Sequence, residues 1–196
     1  MKKKILATVL TLALSLPAVM ASAQSTDQEV TVMGSGLQVT QTSLNFQDII
    51  LNVKQAQNST AKSDLFVLDG RGTDAGWGVS LKATDFVLKK TVNEQEVLFT
   101  IPSSAVVITT HYKKAVVGTP VDFQAGEGVL ATAQPLSAVE SRIVGVKPAS
   151  GAGTHEFGLD YRLSLPKTIQ GSDGSSIGVL QGTYSSVFTY TVTAGI

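Results

Sequence analysis

Two segments of the chain carry residue types that could bind a ligand at a surface, and the first surrounds the single tryptophan. Arg71 lies between two glycines, and a glycine-rich turn leads from it to Trp77 and then Val79. An indole can stack on a sugar ring and donate its N–H, whereas a guanidinium can bind a carboxylate or phosphate through two hydrogen bonds. The alternative is structural, and the alternation of apolar residues favours it for Trp77: the indole packs in the core, and Arg71 pairs with an acidic residue nearby. The candidate partners are Asp69, Asp74 and Asp85.

The second segment lies near the end of the sequence and alternates aromatic and aliphatic residues with threonines. One face of the predicted strand holds Tyr184, Phe188, Tyr190 and Val192, and the other face holds the threonines at 189, 191 and 193. Core packing is the favoured role for the two tyrosines, whose hydroxyls would then need hydrogen-bond partners. Taken with the first segment, the candidate ligand-binding residues are Arg71, Trp77, Val79, Tyr184, Tyr190 and Val192.

The composition argues against several functional classes. The chain of 196 residues has no cysteine, which excludes disulfides and thiolate metal sites. It has 15 basic and 15 acidic residues, so it lacks the basic surface that nucleic-acid binding requires. The two histidines are isolated, and the sequence contains no nucleophile-elbow, zinc-protease or phosphate-loop motif. We therefore expect no enzyme activity, no cofactor, no metal site and no nucleic-acid partner.

The first 23 residues have the pattern of a secretory signal peptide. Three lysines follow Met1, an apolar run spans residues 5–16, and Ala21-Ser22-Ala23 supplies the small-x-small cleavage pattern. The apolar run is shorter than the ~20 residues of a membrane span, so we expect no span in the mature chain. Cleavage before Gln24 would remove three lysines and no acidic residue, leaving 12 basic and 15 acidic residues and a formal charge of −3.

The mature chain, residues 24–196, reads as a single all-β domain. Apolar and polar residues alternate with the period of two that is typical of strands with one buried face. In the clearest run, between His155 and Pro166, one face carries Phe157, Leu159, Tyr161, Leu163 and Leu165. Similar alternation surrounds Trp77 and residues 97–101. About ten short strands with little helix predict an antiparallel β-sandwich, Ig-like or related, with a barrel as the alternative closure.

Less regular segments complete this prediction. Further β-rich stretches occur at residues 29–33, 43–53, 65–68, 105–112 and 128–133. Residues 118–150 are rich in Ala, Gly and Val, and we interpret them as an insertion or a mobile connection. The Gly- and Ser-rich residues 171–176 predict a flexible loop.

Together the two aromatic segments resemble the WxL domain, a surface module of Gram-positive bacteria. That family has a Trp-x-Leu motif after an Arg-Gly-Thr turn, and this chain has Arg71-Gly72-Thr73 followed by Trp77-Gly78-Val79. The family's distal motif is Tyr, three residues, an aliphatic, Thr-Trp-x-Leu, three residues and Pro. Its positions fall without gaps on Tyr184, Phe188, Thr189, Tyr190, Val192 and Ile196. The chain departs from the family at Val79, Tyr190, Val192 and Ile196, and the resemblance covers essentially the whole mature chain.

The resemblance implies a secreted cell-surface protein that associates non-covalently with the cell wall, through peptidoglycan or an associated polymer. It also implies assembly with companion cell-surface proteins. It further predicts that the strands bearing Trp77 and Tyr190 meet in the fold. One alternative is a structural or adhesive subunit that assembles by strand exchange, as pilin-like proteins do. A secreted hydrolase with an unfamiliar site is a third, less favoured interpretation.

Overall fold

The structure is a computed structural model that describes residues 23–25, 36–52, 57–73 and 75–195. The described chain forms fourteen strands and one short 3-10 turn (Ser103–Ala105), and ten of the strands have four or more residues. In chain order the strands are β1 (Ala23–Ser25), β2 (Leu37–Gln41), β3 (Asn58–Asp69), β4 (Trp77–Ala83), β5 (Phe86–Val92), β6 (Gln95–Ile101), β7 (Val106–Val117), β8 (Gly128–Leu130), β9 (Gln134–Pro135), β10 (Ser141–Val146), β11 (Gly153–Ser164), β12 (Thr168–Gly171), β13 (Ser176–Gly178) and β14 (Phe188–Ala194).

The strands form three antiparallel sheets that pack together as a β-sandwich, which confirms the predicted fold class. The first sheet has the order β1-β14-β4-β10-β8, and the second has the order β2-β3-β11-β7-β9. The third, smaller sheet has the order β13-β12-β6-β5. Where a strand buries only one face, the period-two pattern of the sequence becomes the division between core and solvent.

The core lies between the first and second sheets. On β11, Phe157, Leu159 and Tyr161 are fully buried, as the alternation predicts. They face the inward side chains of β4, and the rings of Phe157 and Trp77 meet edge to face at 6.0 Å. Burying side chains of this size stabilises the fold by about 1.5–3 kcal/mol each, so this layer is a main source of its stability.

A single segment joins the two large sheets along one side. Strand β8 pairs with β10 in the first sheet, and β9 pairs with β7 in the second. Between these strands, the backbone N–H of Ala131 donates to the carbonyl of Ile143, and the carbonyl of Ala131 accepts from the N–H of Thr110. One residue is therefore hydrogen-bonded to both sheets.

The interpretation of residues 118–150 as an insertion or a mobile connection is wrong. This segment supplies β8, β9 and β10, and β10 lies inside the first sheet between β4 and β8. Residues Ile143 to Val146 are buried on both faces. A strand covered on both sides has no alternation of apolar and polar residues, so the period-two criterion misses it.

The predicted β-rich stretch 43–53 is not a strand over residues 43–52. The chain leaves the β2–β3 ladder after the N–H of Thr42 donates to Asp64, and it returns only where Gln47 donates to Thr60. In between, Leu44 and Phe46 turn towards the end of the sandwich and pack against the core. Residues 29–33 lie outside the described part of the chain. So do residues 1–22 of the predicted signal peptide, whereas Ala23 belongs to β1.

Candidate functional site

The two aromatic segments meet in the first sheet. Strands β4 and β14 are neighbours, with Trp77 opposite Ala194 and Val79 opposite Val192. Tyr190 lies opposite Leu81 on the same pair of strands. The expectation that these distant segments come together in the fold is therefore confirmed.

Four of the six candidate ligand-binding residues are core residues. Trp77, Val79, Tyr190 and Val192 all have 0% of their surface exposed. A ligand outside the sandwich has no access to these side chains, so direct contact with it is not compatible with their positions. The structural alternative, packing on the inner face of the sheet, describes all four, because inward positions on neighbouring strands fall opposite one another.

Trp77 is held by its ring nitrogen as well as by packing. Its Nε1–H donates to the carbonyl of Gly151 at 2.9 Å. The ring of His155 lies 6.0 Å away, tilted by 45°, and Phe157 covers another side. Burial lowers the pKa of His155 below its ordinary value, since desolvation disfavours the imidazolium. The indole N–H therefore has a partner inside the protein.

Arg71 is committed to an internal salt bridge with Asp69. Its Nε and Nη2 donate to the two carboxylate oxygens at 2.8 and 2.7 Å, and Nη2 also donates to the carbonyl of Gly76 at 2.8 Å. The side chains of Arg71 and Asp69 are only 6% and 2% exposed. The hydrogen bond to Asp69 raises the pKa of Arg71 above its ordinary value. The pair fixes the turn before β4, which is the structural alternative for Arg71.

Tyr190 shares a buried hydrogen bond with a tyrosine of the opposite sheet. The hydroxyls of Tyr190 and Tyr161 lie 2.6 Å apart. Close by, Gln41 donates to the Ser63 hydroxyl at 2.9 Å, and burial raises the pKa of both tyrosines. The partner that a buried tyrosine hydroxyl requires is therefore present, and the contact joins the two sheets across the core.

Tyr184 is the one candidate residue that reaches a cavity. The sequence pattern predicts that Tyr184 and Phe188 share a strand, and this prediction is wrong. Strand β14 begins only at Phe188, and Ser185 makes an isolated bridge to Val87 of β5. The Tyr184 hydroxyl donates to the carbonyl of Leu180 at 3.1 Å and accepts from the N–H of Leu180 at 3.2 Å. Its ring is half-buried, and desolvation raises its pKa.

This cavity, called the end cleft below, lies at the end of the sandwich remote from Trp77. Its volume is about 1140 Å³, and its two walls are residues 43–51 and 179–186. Residues of the core form the floor, including Phe86 and Phe188. Tyr184 is the only one of the six candidate ligand-binding residues that lines the end cleft. The wall residue Phe46 is not among those candidates, because it lies in a stretch that the alternation assigns to a strand. The available signal was the mixture of amide, hydroxyl and aromatic side chains in residues 43–48.

Within the described ranges, no three His, Asp or Glu side chains come together in a group that could hold a metal ion. The same part of the chain contains no helix long and apolar enough to cross a membrane. Comparison of the chain with protein-family models, curated proteins and solved structures finds no match.

Proposed function

We propose that the protein is a secreted, WxL-like surface protein that associates non-covalently with the peptidoglycan of a Gram-positive cell wall. The observation that carries the proposal is the pairing of β4 with β14, which places the two motif-bearing strands side by side. The motif residues then act as the framework of the module, and the surface that this framework supports makes the contact. The proposal includes no catalytic step and no cofactor.

The geometry around the motifs supports a rigid binding module. The Asp69–Arg71 pair and the Trp77–Gly151 hydrogen bond hold the turn that leads into β4. The Tyr161–Tyr190 contact joins β14 to the opposite sheet. Binding by a preformed surface avoids the entropic cost of ordering loops, which suits a protein that must stay attached to a polymer.

Sedimentation with insoluble peptidoglycan tests the proposal. The full-length gene is expressed in a Gram-positive host, the exported protein is purified from the medium, and its first residue is determined. We expect Gln24 at the N-terminus and saturable co-sedimentation with the polymer. Peptidoglycan-free centrifugation gives the control for self-aggregation. Protein that stays in the supernatant at every polymer concentration would refute the proposal.

A second candidate function is a structural subunit that assembles by strand exchange, and the edge of the first sheet favours it. Strand β14 is covered on its outer side by β1, which has only three residues. Ala23, paired with Thr191, precedes the predicted cleavage site. Cleavage would leave two residues of β1 on this edge, and an exposed strand edge can accept a strand from another molecule.

The two candidates differ in their dependence on protein concentration. Strand exchange predicts oligomers of the purified mature protein that grow as its concentration increases, measured by multi-angle light scattering. A variant with Ala194→Pro on β14 should reduce them, because the N–H of the exposed residue 194 faces the outer edge of the sheet and proline removes it. A mass that stays that of one chain at all concentrations would contradict this second candidate.

A further inference from the structure

We infer that the end cleft binds an uncharged oligosaccharide segment. This inference rests on the proposed function and deepens it, because it selects the glycan strand of the wall over its charged stem peptides and its phosphate-containing polymers. It also assigns the contact to a site far from Trp77 and Arg71.

The size of the end cleft suits an oligosaccharide. Sites for small molecules typically enclose about 300–1,000 Å³, and the cleft measures about 1140 Å³. It lies between two chain segments rather than inside the core. A site of this kind can hold more than one sugar ring of a longer chain.

The accessible aromatic rings lie on opposite walls of the end cleft. Phe46 belongs to one wall and Tyr184 to the other, and both are half-buried. Below them, Phe86 packs edge to face against Phe46 at 5.9 Å and against Phe188 at 6.0 Å. Apolar ring faces of this kind are suited to the C–H faces of sugars.

The polar side chains of the walls are amides and hydroxyls. Asn45 and Gln181 are exposed amides on the two walls, and Ser43, Thr183 and Ser185 supply exposed hydroxyls. An amide offers two donor hydrogens and an acceptor oxygen, and a hydroxyl both donates and accepts. Sugar hydroxyls and acetamido groups need this mixture of donors and acceptors, so the wall chemistry matches them.

Charge separates the possible ligands. Among the described residues that line the end cleft, Asp48 is the only charged one, and it is acidic. A phosphate or a carboxylate would therefore meet a like charge with no lining cation to balance it. A neutral glycan meets no such repulsion, and this difference decides between the wall components.

The walls are held in place before any ligand arrives. The Tyr184 hydroxyl closes the 180–184 turn through both backbone groups of Leu180. Ser185 and Val87 exchange two backbone hydrogen bonds, at 2.8 and 3.0 Å. On the other wall, Phe46 contacts Tyr161 at 6.3 Å between ring centroids. A preformed cleft of this kind loses little freedom when a ligand binds.

The test uses an N-acetylglucosamine tetramer as the neutral probe, with a glycerol-phosphate polymer and a free stem peptide as charged probes. Binding of each probe to the exported protein is measured by calorimetric titration. We expect the tetramer to bind and the charged probes not to compete with it. In the double variant Asn45→Ala/Gln181→Ala, loss of two hydrogen bonds should weaken tetramer binding about tenfold.

Gln95→Ala is the matched control, since Gln95 is an exposed amide at the start of β6, outside the lining of the end cleft. It should leave tetramer affinity unchanged, and circular dichroism should confirm that all variants fold. The inference is overturned if the tetramer does not bind, if the double variant binds it as well as the control does, or if a charged probe displaces it. Co-sedimentation with whole peptidoglycan that persists in those cases leaves the proposed function standing, and its absence overturns both.

Discussion

The salt bridge between Asp69 and Arg71 is withdrawn from water, so removing one partner should destabilise the sandwich strongly. Replacing Arg71 with Met keeps an apolar stem of similar length but deletes three side-chain hydrogen bonds, two to Asp69 and one to the carbonyl of Gly76. The Asp69 carboxylate then remains buried with only the N–H of Arg71, at 3.2 Å, as a hydrogen-bond donor from this turn. Breaking a buried ion pair on one side costs about 3–5 kcal/mol, a large part of the ~5–15 kcal/mol that stabilises a typical domain.

A double-mutant cycle separates the pair from the rest of the turn. Asp69→Asn and Arg71→Met are measured alone and together, by urea unfolding followed through the fluorescence of Trp77, the single tryptophan. We expect the double variant to lose clearly less stability than the two single losses combined, because no uncompensated charge remains in it. The exposed pair Lys89–Glu96, 3.3 Å apart, supplies the control. Lys89→Met should change the free energy of unfolding little, since exposed ion pairs contribute little.

An Arg71→Met variant that costs less than about 1 kcal/mol would refute this reasoning, since that is the range of surface ion pairs. Such a result would also restore the alternative interpretation of Arg71, in which its guanidinium binds an anion. If the variant is stable and loses co-sedimentation with peptidoglycan, Arg71 acts at the ligand rather than in the turn.

Three further predictions concern single side chains. Gly151→Ala should lower the free energy of unfolding in urea by about 2–5 kcal/mol, because the new Cβ would lie 2.8 Å from Trp77 Nε1 in a backbone with φ +80°. Gly174→Ala is the control: its φ is +83° but the space around it is open, so it should lose only the part that comes from backbone strain. Since burial lowers the pKa of His155, the unfolded state takes up a proton as pH falls below about 6.5 and stability decreases there; His155→Asn should flatten that slope in unfolding curves between pH 7 and 5. Thr110 is 3% exposed, and its hydroxyl has no partner among the described residues, so Thr110→Val should raise the melting temperature; a lower value would contradict an unpaired hydroxyl.

The sequence predicts the half-buried strands well because their pattern is local. The alternation around Phe157 and Tyr161 on β11, and around Trp77 on β4, follows directly from one face being buried. The meeting of the strands that bear Trp77 and Tyr190 is predicted from the resemblance of two motifs rather than from periodicity, and their direct pairing as β4 and β14 is seen only in the structure. Strand β10 was missed because both of its faces are covered, and a strand of that kind has no alternating pattern to read.

The candidate site was predicted less well, for a geometric reason. Residue type marks Trp77 and Tyr190 as special but does not say whether a side chain points inward, and both are fully buried. For Arg71, the sequence left an internal pair and an anion ligand equally open, and the carboxylate of Asp69 decides between them. The end cleft depends on where residues 43–51 and 179–186 come together, and such long-range proximity is not encoded in the spacing of either segment.

The position of Ala131 has a mechanical consequence. Because this residue bonds Ile143 on one layer and Thr110 on the other, the layers cannot slip past each other without rupturing a backbone link. Sliding of one sheet over the other is therefore resisted by these backbone hydrogen bonds as well as by the side chains packed between the sheets. Under a pulling force, this link would favour unfolding of the two sheets in one step rather than separation of one sheet from the other.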